Sequence, residues 1–134
     1  MNFNELYIGQ SHSITRTFSQ KEVSDFSTLS LDTNPLHTDP SYASNSIFKQ
    51  PIVPGFLTAS LFSAIIGTQM PGCGSIYLNQ SLSFKRPVYP DEAVTATVAV
   101  KELHAEKKHV LLETLCHDQA GNLLIEGMAL VKMP

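Results

Sequence analysis

A carboxylate and an imidazole stand five residues apart in the run Asp32-Thr33-Asn34-Pro35-Leu36-His37-Thr38-Asp39. Such a pair suits chemistry in which water loses a proton: one group takes it, while the other orients the water or hands a proton on. Pro35 fixes its own φ and drives Asn34 out of the helical region. The segment therefore reads as a defined turn that can aim both side chains at one point. A blander reading stands beside this one. Asp32 and Asn34 tighten or cap a turn, and His37 is a surface or satisfied core residue.

The elements around the turn follow from periodicity. Residues 13–18 alternate as Ser-Ile-Thr-Arg-Thr-Phe, a short strand. Ser19 stands three residues before Glu22, the spacing of a capping box, and Val23, Phe26 and Leu29 follow at helical intervals. Asp39-Pro40 opens another helical turn, with Asp39 as N-cap and Pro40 at the first position. Residues 50–55 form a rigid, extended lead-in through Pro51 and Pro54 to a helix over 56–67. That helix is uncharged on every face, so it is expected to be buried on all sides. Beyond Pro71-Gly72, four segments (75–84, 93–103, 109–117 and 123–133) are rich in alternating Val, Thr, Leu and Ile. Joined by turns, they predict an antiparallel meander. The fold class is α+β: an antiparallel sheet wrapped on one buried helix, in a single domain over 1–134.

Composition narrows the function. The chain has 134 residues, room for one domain with a real core. Only 16% of residues are charged and the net charge is −3, so nucleic-acid binding has no electrostatic support. The low charge suggests an additional buried surface, such as an oligomer interface. No signal peptide is visible, and the apolar run near Phe56–Ile66 is too short to span a bilayer. Cys73 and Cys116 are expected to be reduced thiols in a cytoplasmic protein. Neither they nor the scattered histidines have a metal-ligand spacing, and no metal is expected.

Several stretches, in order, resemble one family. Residues 30–39 look like the hydratase motif of the (R)-specific enoyl-CoA hydratases, the MaoC-like group. Residues 51–63, from Pro51-Ile52-Val53-Pro54-Gly55 to Leu61-Phe62-Ser63, look like the start of that family's central helix. Gly74-Ser75-Ile76-Tyr77-Leu78, Gln80-Ser81-Leu82-Ser83-Phe84 and the closing Val131-Lys132-Met133-Pro134 also match. The resemblance runs almost end to end and is strongest to the short hydratases that supply (R)-3-hydroxyacyl-CoA for polyhydroxyalkanoate synthesis. It implies the hot-dog fold and a homodimer, with one sheet running across two subunits.

By that resemblance Asp32 is the general base on a water added across a trans-2-enoyl thioester, and His37 holds the same water. Hydration places negative charge on the thioester oxygen, which then needs preorganised donors. The resemblance gives this role to the Gly55 N–H, which lies at a helix start with no intrahelical acceptor. A plain helix entry would also explain Gly55. Asn34, Ser63, Ile66 and Val131 are implied in substrate binding, the last three as acyl lining. Ile66 implies an early end to the pocket and short acyl chains. Lys85 and Arg86 are candidates for the CoA phosphates. The substrate is an acyl-CoA, and no cofactor is implied. Two residues depart from the family pattern: Leu31 stands where glycine is common, and Pro54 where histidine is common. Dehydration of hydroxyacyl groups on acyl carrier protein is the second enzymatic reading. A non-catalytic acyl-CoA-binding module is the third, although it predicts a damaged catalytic pair, and here the pair is intact.

Overall fold

The computed structural model describes all 134 residues. After a 3-10 turn (Phe3–Glu5), the order is β1 (Ser11–Arg16), α1 (Gln20–Ser30), α2 (Pro35–Thr38), α3 (Pro40–Ser44), α4 (Gly55–Thr68), β2 (Ile76–Gln80), β3 (Ser83–Phe84), β4 (Val94–His104), β5 (His109–Asp118) and β6 (Leu123–Lys132). The α+β class and the hot-dog arrangement are both present: one antiparallel sheet, ordered β1-β4-β5-β6-β2, with α4 packed against it.

Local chemistry sets the helix ends. Ser19 Oγ accepts the Glu22 N–H while Glu22 accepts the Ser19 N–H, completing the capping box of α1. Asp39 accepts the N–H groups of Ser41 and Tyr42 at the start of α3. The first strand lies two residues earlier than its alternation suggested. There Ser13 and Thr15 bond through their hydroxyls to Thr97 and Thr95 on β4, at 2.7 and 2.8 Å.

The meander is confined to β4-β5-β6. The segment expected as one strand over 75–84 is broken into β2 and β3, and both pair with β6 at the far side of the sheet. The physical cause of the break is visible at Gly127. A Cβ there would lie 1.8 Å from the Ser81 carbonyl oxygen, so only glycine lets the jog between β2 and β3 approach β6. Bulges at Tyr77/Asn79, Val100/Glu102 and Cys116/His117 bend the strands and help the sheet curl.

Inward residues of β4, β5 and β6 (Val94, Val98, Val110, Leu112, Ala129 and Val131 among them) meet Phe62, Ile65 and Ile66 of α4 in one core. Each of these large side chains contributes about 2 kcal/mol by leaving water. Burial also pushes the Cys116 thiol up to about 12 and keeps it un-ionised. The expectation that α4 is buried on all sides is corrected. One sheet covers one face, and Phe56, Ser60, Ser63, Ala64 and Gly67 on the other are exposed in the single chain. No helix is long and apolar enough to cross a membrane.

Candidate active site

The turn between α1 and α3 does what its sequence suggests, through a backbone feature at Leu31. This C-cap residue adopts φ 65°, the left-handed conformation that reverses the chain out of α1. Its side chain is 84% exposed, so nothing packs on it to hold that conformation. The chain then turns back through Asp32, whose Oδ1 accepts the Asn34 N–H at 3.3 Å. Asn34 in turn caps α2 by accepting the Leu36 N–H at 3.1 Å. With Pro35 at its first position, α2 carries His37 on its inner side, where it is buried.

His37 is held at one ring nitrogen. Nδ1 lies 2.8 Å from the carbonyl oxygen of Ile52. A carbonyl can only accept, so Nδ1 carries the hydrogen, and in the neutral ring Nε2 presents a lone pair. Gln20 Nε2 donates to the His37 carbonyl at 2.9 Å and ties α1 to the same turn. His37 Nε2 lies 4.0 Å from Asp32 Oδ2. That is too long for a direct hydrogen bond, yet one water about 2.8 Å from each atom, with the two at about 90° to one another, is within hydrogen-bond reach of both. Two acceptors thus converge on one water position, with Asp32 Oδ1 occupied by the turn and Oδ2 left for the site.

Opposite them begins α4. Pro54 supplies no side-chain cap, but its carbonyl accepts the N–H groups of both Leu57 and Thr58, at 3.0 and 3.2 Å. The Gly55 N–H has no acceptor in the chain. It sits at the positive end of a 14-residue helix and is a free donor for an anionic oxygen. The Phe84 ring lies against Gly55, where an added Cβ would come within 2.5 Å of it, and Phe84 also tilts onto Phe56 with centroids 5.9 Å apart.

Asp32, His37 and Gly55 line one cavity of about 390 Å³, together with Thr58, Phe84, Lys85, Arg86 and the apolar side chains of Ile52, Val53, Val88 and Ile125. Lys85 also pairs with Glu126 at 3.4 Å. The other expected site residues lie elsewhere. Asn34 spends its side-chain oxygen on the α2 cap. Ser63 is on the exposed face of α4, whereas Ile66 and Val131 are fully buried in the core. None of the four lines this cavity, because α4 turns Ile66 toward the sheet and Ser63 away from it. Sequence reasoning missed Ile52, whose carbonyl fixes the imidazole and has no side-chain signature, and Phe84, which reaches Gly55 only through the fold. Thr58 was findable, as a hydroxyl three residues beyond Gly55 on an apolar helix.

A family model for the MaoC-like domain matches residues 6–119. The chain belongs to the MaoC-like domain family. An (R)-specific enoyl-CoA hydratase from Aeromonas caviae is 47% identical over 134 residues, covering 100% of both chains. The solved (R)-hydratase from A. caviae, described as involved in PHA biosynthesis, superposes with a TM-score of 0.93 at 48% identity, over 96% of this chain and 98% of that one. A mitochondrial 3-hydroxyacyl-[acyl-carrier-protein] dehydratase from Solanum lycopersicum is 41% identical over 133 residues, 98% of this chain and 79% of that protein. The family resemblance carried by residues 30–39 and 51–63 thus extends over the whole chain.

Proposed function

We infer that this MaoC-like chain is an (R)-specific enoyl-CoA hydratase, reversibly adding water syn across trans-2-enoyl-CoA to give (R)-3-hydroxyacyl-CoA. One observation carries the reading: the Asp32–His37 pair and an unpartnered Gly55 N–H share one cavity. The end-to-end likeness to the A. caviae hydratase supports it.

Water bound between Asp32 Oδ2 and His37 Nε2 attacks the β-carbon. Its proton passes to the pair, with Asp32 as the general base, while the π electrons move to the thioester oxygen. The Gly55 N–H stabilises that oxygen as charge develops, the kind of contact worth about 10²–10³ in rate. The neutral His37 tautomer is an acceptor toward the water, so the proton that closes the α-carbon is one the pair has just taken. One water then supplies both hydroxyl and hydrogen on the same face, which is syn addition. The reaction is redox-neutral and its proton transfers need only these side chains, so we assign no cofactor.

Lys85 and Arg86, on the cavity wall, complement the phosphates of CoA. Val53, Val88 and Ile125, all buried, close the apolar end and favour short acyl chains. The exposed edge strand β2, with Ile76, Tyr77 and Leu78, is suited to pair with its copy in a homodimer whose sheet crosses the two-fold axis. We assign the enzyme to the cytoplasm, where its two free thiols remain reduced.

The likeness to the tomato enzyme favours a second reading, dehydration of carrier-bound hydroxyacyl groups. Steady-state hydration of crotonyl-CoA and crotonyl-acyl carrier protein separates the two. The hydratase reading predicts a kcat/KM at least tenfold higher for the CoA thioester; the reverse preference would overturn it. Light scattering at micromolar concentration is expected to give a dimer mass, and a monomer would contradict the β2 pairing.

A further inference from the structure

Thr58 carries the one buried hydroxyl on α4. Ser60 and Thr68 return their hydroxyl hydrogens to backbone carbonyls of the same helix, Leu57 and Ala64, both at 2.6 Å. Thr58 Oγ1 has no partner, although the residue is 0% exposed. A helical threonine can use the carbonyl three or four residues back. Thr58 uses neither, and that of Pro54, four residues back, already accepts the N–H groups of Leu57 and Thr58. Both its lone pairs are engaged. A buried hydroxyl without a partner is costly and calls for an explanation.

The explanation is its position. Thr58 lines the same cavity as Gly55, Asp32 and His37. Residues three apart share a helix face, and Cα–Cβ bonds tilt toward the helix N-terminus. The Thr58 side chain therefore leans over the turn that begins at Gly55, beside the free N–H. We propose that the Thr58 hydroxyl is a second hydrogen-bond donor to the thioester oxygen, paired with the Gly55 N–H. This rests on the hydratase reading. Its consequence is that the chain keeps a buried hydroxyl unsatisfied in the free enzyme and satisfies it when the thioester binds, most strongly as the oxygen gains charge. Ser27 Oγ, the other buried hydroxyl without a partner, is not on the cavity and has no such role.

The test compares Thr58→Val, which keeps the shape and removes the hydroxyl, with Thr58→Ser, which keeps the hydroxyl. Three readouts are taken on the intact chain: crotonyl-CoA hydration, thermal unfolding, and the infrared C=O stretch of bound butyryl-CoA labelled with ¹³C at the carbonyl. T58V is expected to lower kcat by about 10²-fold, with KM within threefold and a Tm equal to or above wild type. T58S should stay within about fivefold of wild-type kcat. The carbonyl band, shifted to lower frequency on binding wild type, should recover part of the way toward its free position in T58V and stay shifted in T58S. A purely structural role would lower Tm and leave the band unmoved. Turnover by wild type, with T58V within twofold of it or with an unchanged band, overturns this assignment alone. No turnover by folded wild type overturns the hydratase reading and this proposal with it.

Discussion

Replacing Leu31 with glycine should make this protein more stable without touching its chemistry. Leu31 holds φ 65° and ψ 10°, where a side chain crowds the following carbonyl at a cost of about 1–2 kcal/mol. Its side chain is 84% exposed, so truncation forfeits almost no packing. Against the relief stands the extra backbone freedom of glycine in the unfolded chain, about 0.5–1 kcal/mol. The net gain is about 0.5–1 kcal/mol. With ~2.1 cal/mol/K of unfolding entropy per residue over 134 residues, that gain corresponds to a Tm rise of about 2–4 °C. Thermal unfolding followed by far-UV circular dichroism, at one fixed protein concentration, reads it directly. Leu31→Ala is the control: it removes the same side chain but keeps a Cβ, and should leave Tm within about 2 °C of wild type. If L31G lowers Tm, or if L31A gains as much as L31G, the backbone argument is wrong. Leu31 would then be held by contacts of its side chain.

Gly55→Ala brings a Cβ within 2.5 Å of the Phe84 ring and must displace it into the cavity. Crotonyl-CoA hydration should fall by about 10²-fold with Tm changed by only a few degrees. A G55A enzyme with near-wild-type kcat would contradict the close approach assigned to Gly55. Stability should also decline as the solution is acidified. The Ser19 N–H holds the Glu22 carboxyl below its ordinary range, and the Asn122 side chain does the same for Asp118. Folded pKa values below the unfolded ones mean that the unfolded chain takes up protons first. The stabilisation is full above the ordinary carboxylate range and is lost as pH falls through it, from about pH 5 to about pH 3. Tm measured across that window should fall less steeply in E22Q/D118N than in wild type, and identical slopes would refute the assignment.

Much of this architecture was legible because it is local. The capping box at Ser19 and Glu22, the Asp39-Pro40 helix start and the uncharged run that becomes α4 each depend on neighbours within a few residues. The Asp32–His37 turn was legible for the same reason. Strand partners were not, since alternation in residues 75–84 says which face is buried and nothing about which strand lies alongside. That β2 and β3 join β6 rather than β4 depends on a long crossing and on Gly127. The site divides the same way. The carboxylate and imidazole announce themselves, but the carbonyl of Ile52 that sets the imidazole tautomer is a backbone atom that any residue could supply. The lining assigned to Ser63, Ile66 and Val131 came from family resemblance, and the single chain puts the first at the surface and the other two in the core.

The central claim is that Asp32 and His37 activate one water for addition to one face of an enoyl thioester. It is tested most directly by following loss of enoyl absorbance with crotonyl-CoA for wild type and Asp32→Asn. Product is captured in parallel by (R)- and (S)-specific hydroxyacyl-CoA dehydrogenases. The account predicts rapid loss, product only in the (R) arm, and a fall of about 10²–10⁴-fold in D32N. Substantial (S) product, or a D32N enzyme as fast as wild type, would contradict it.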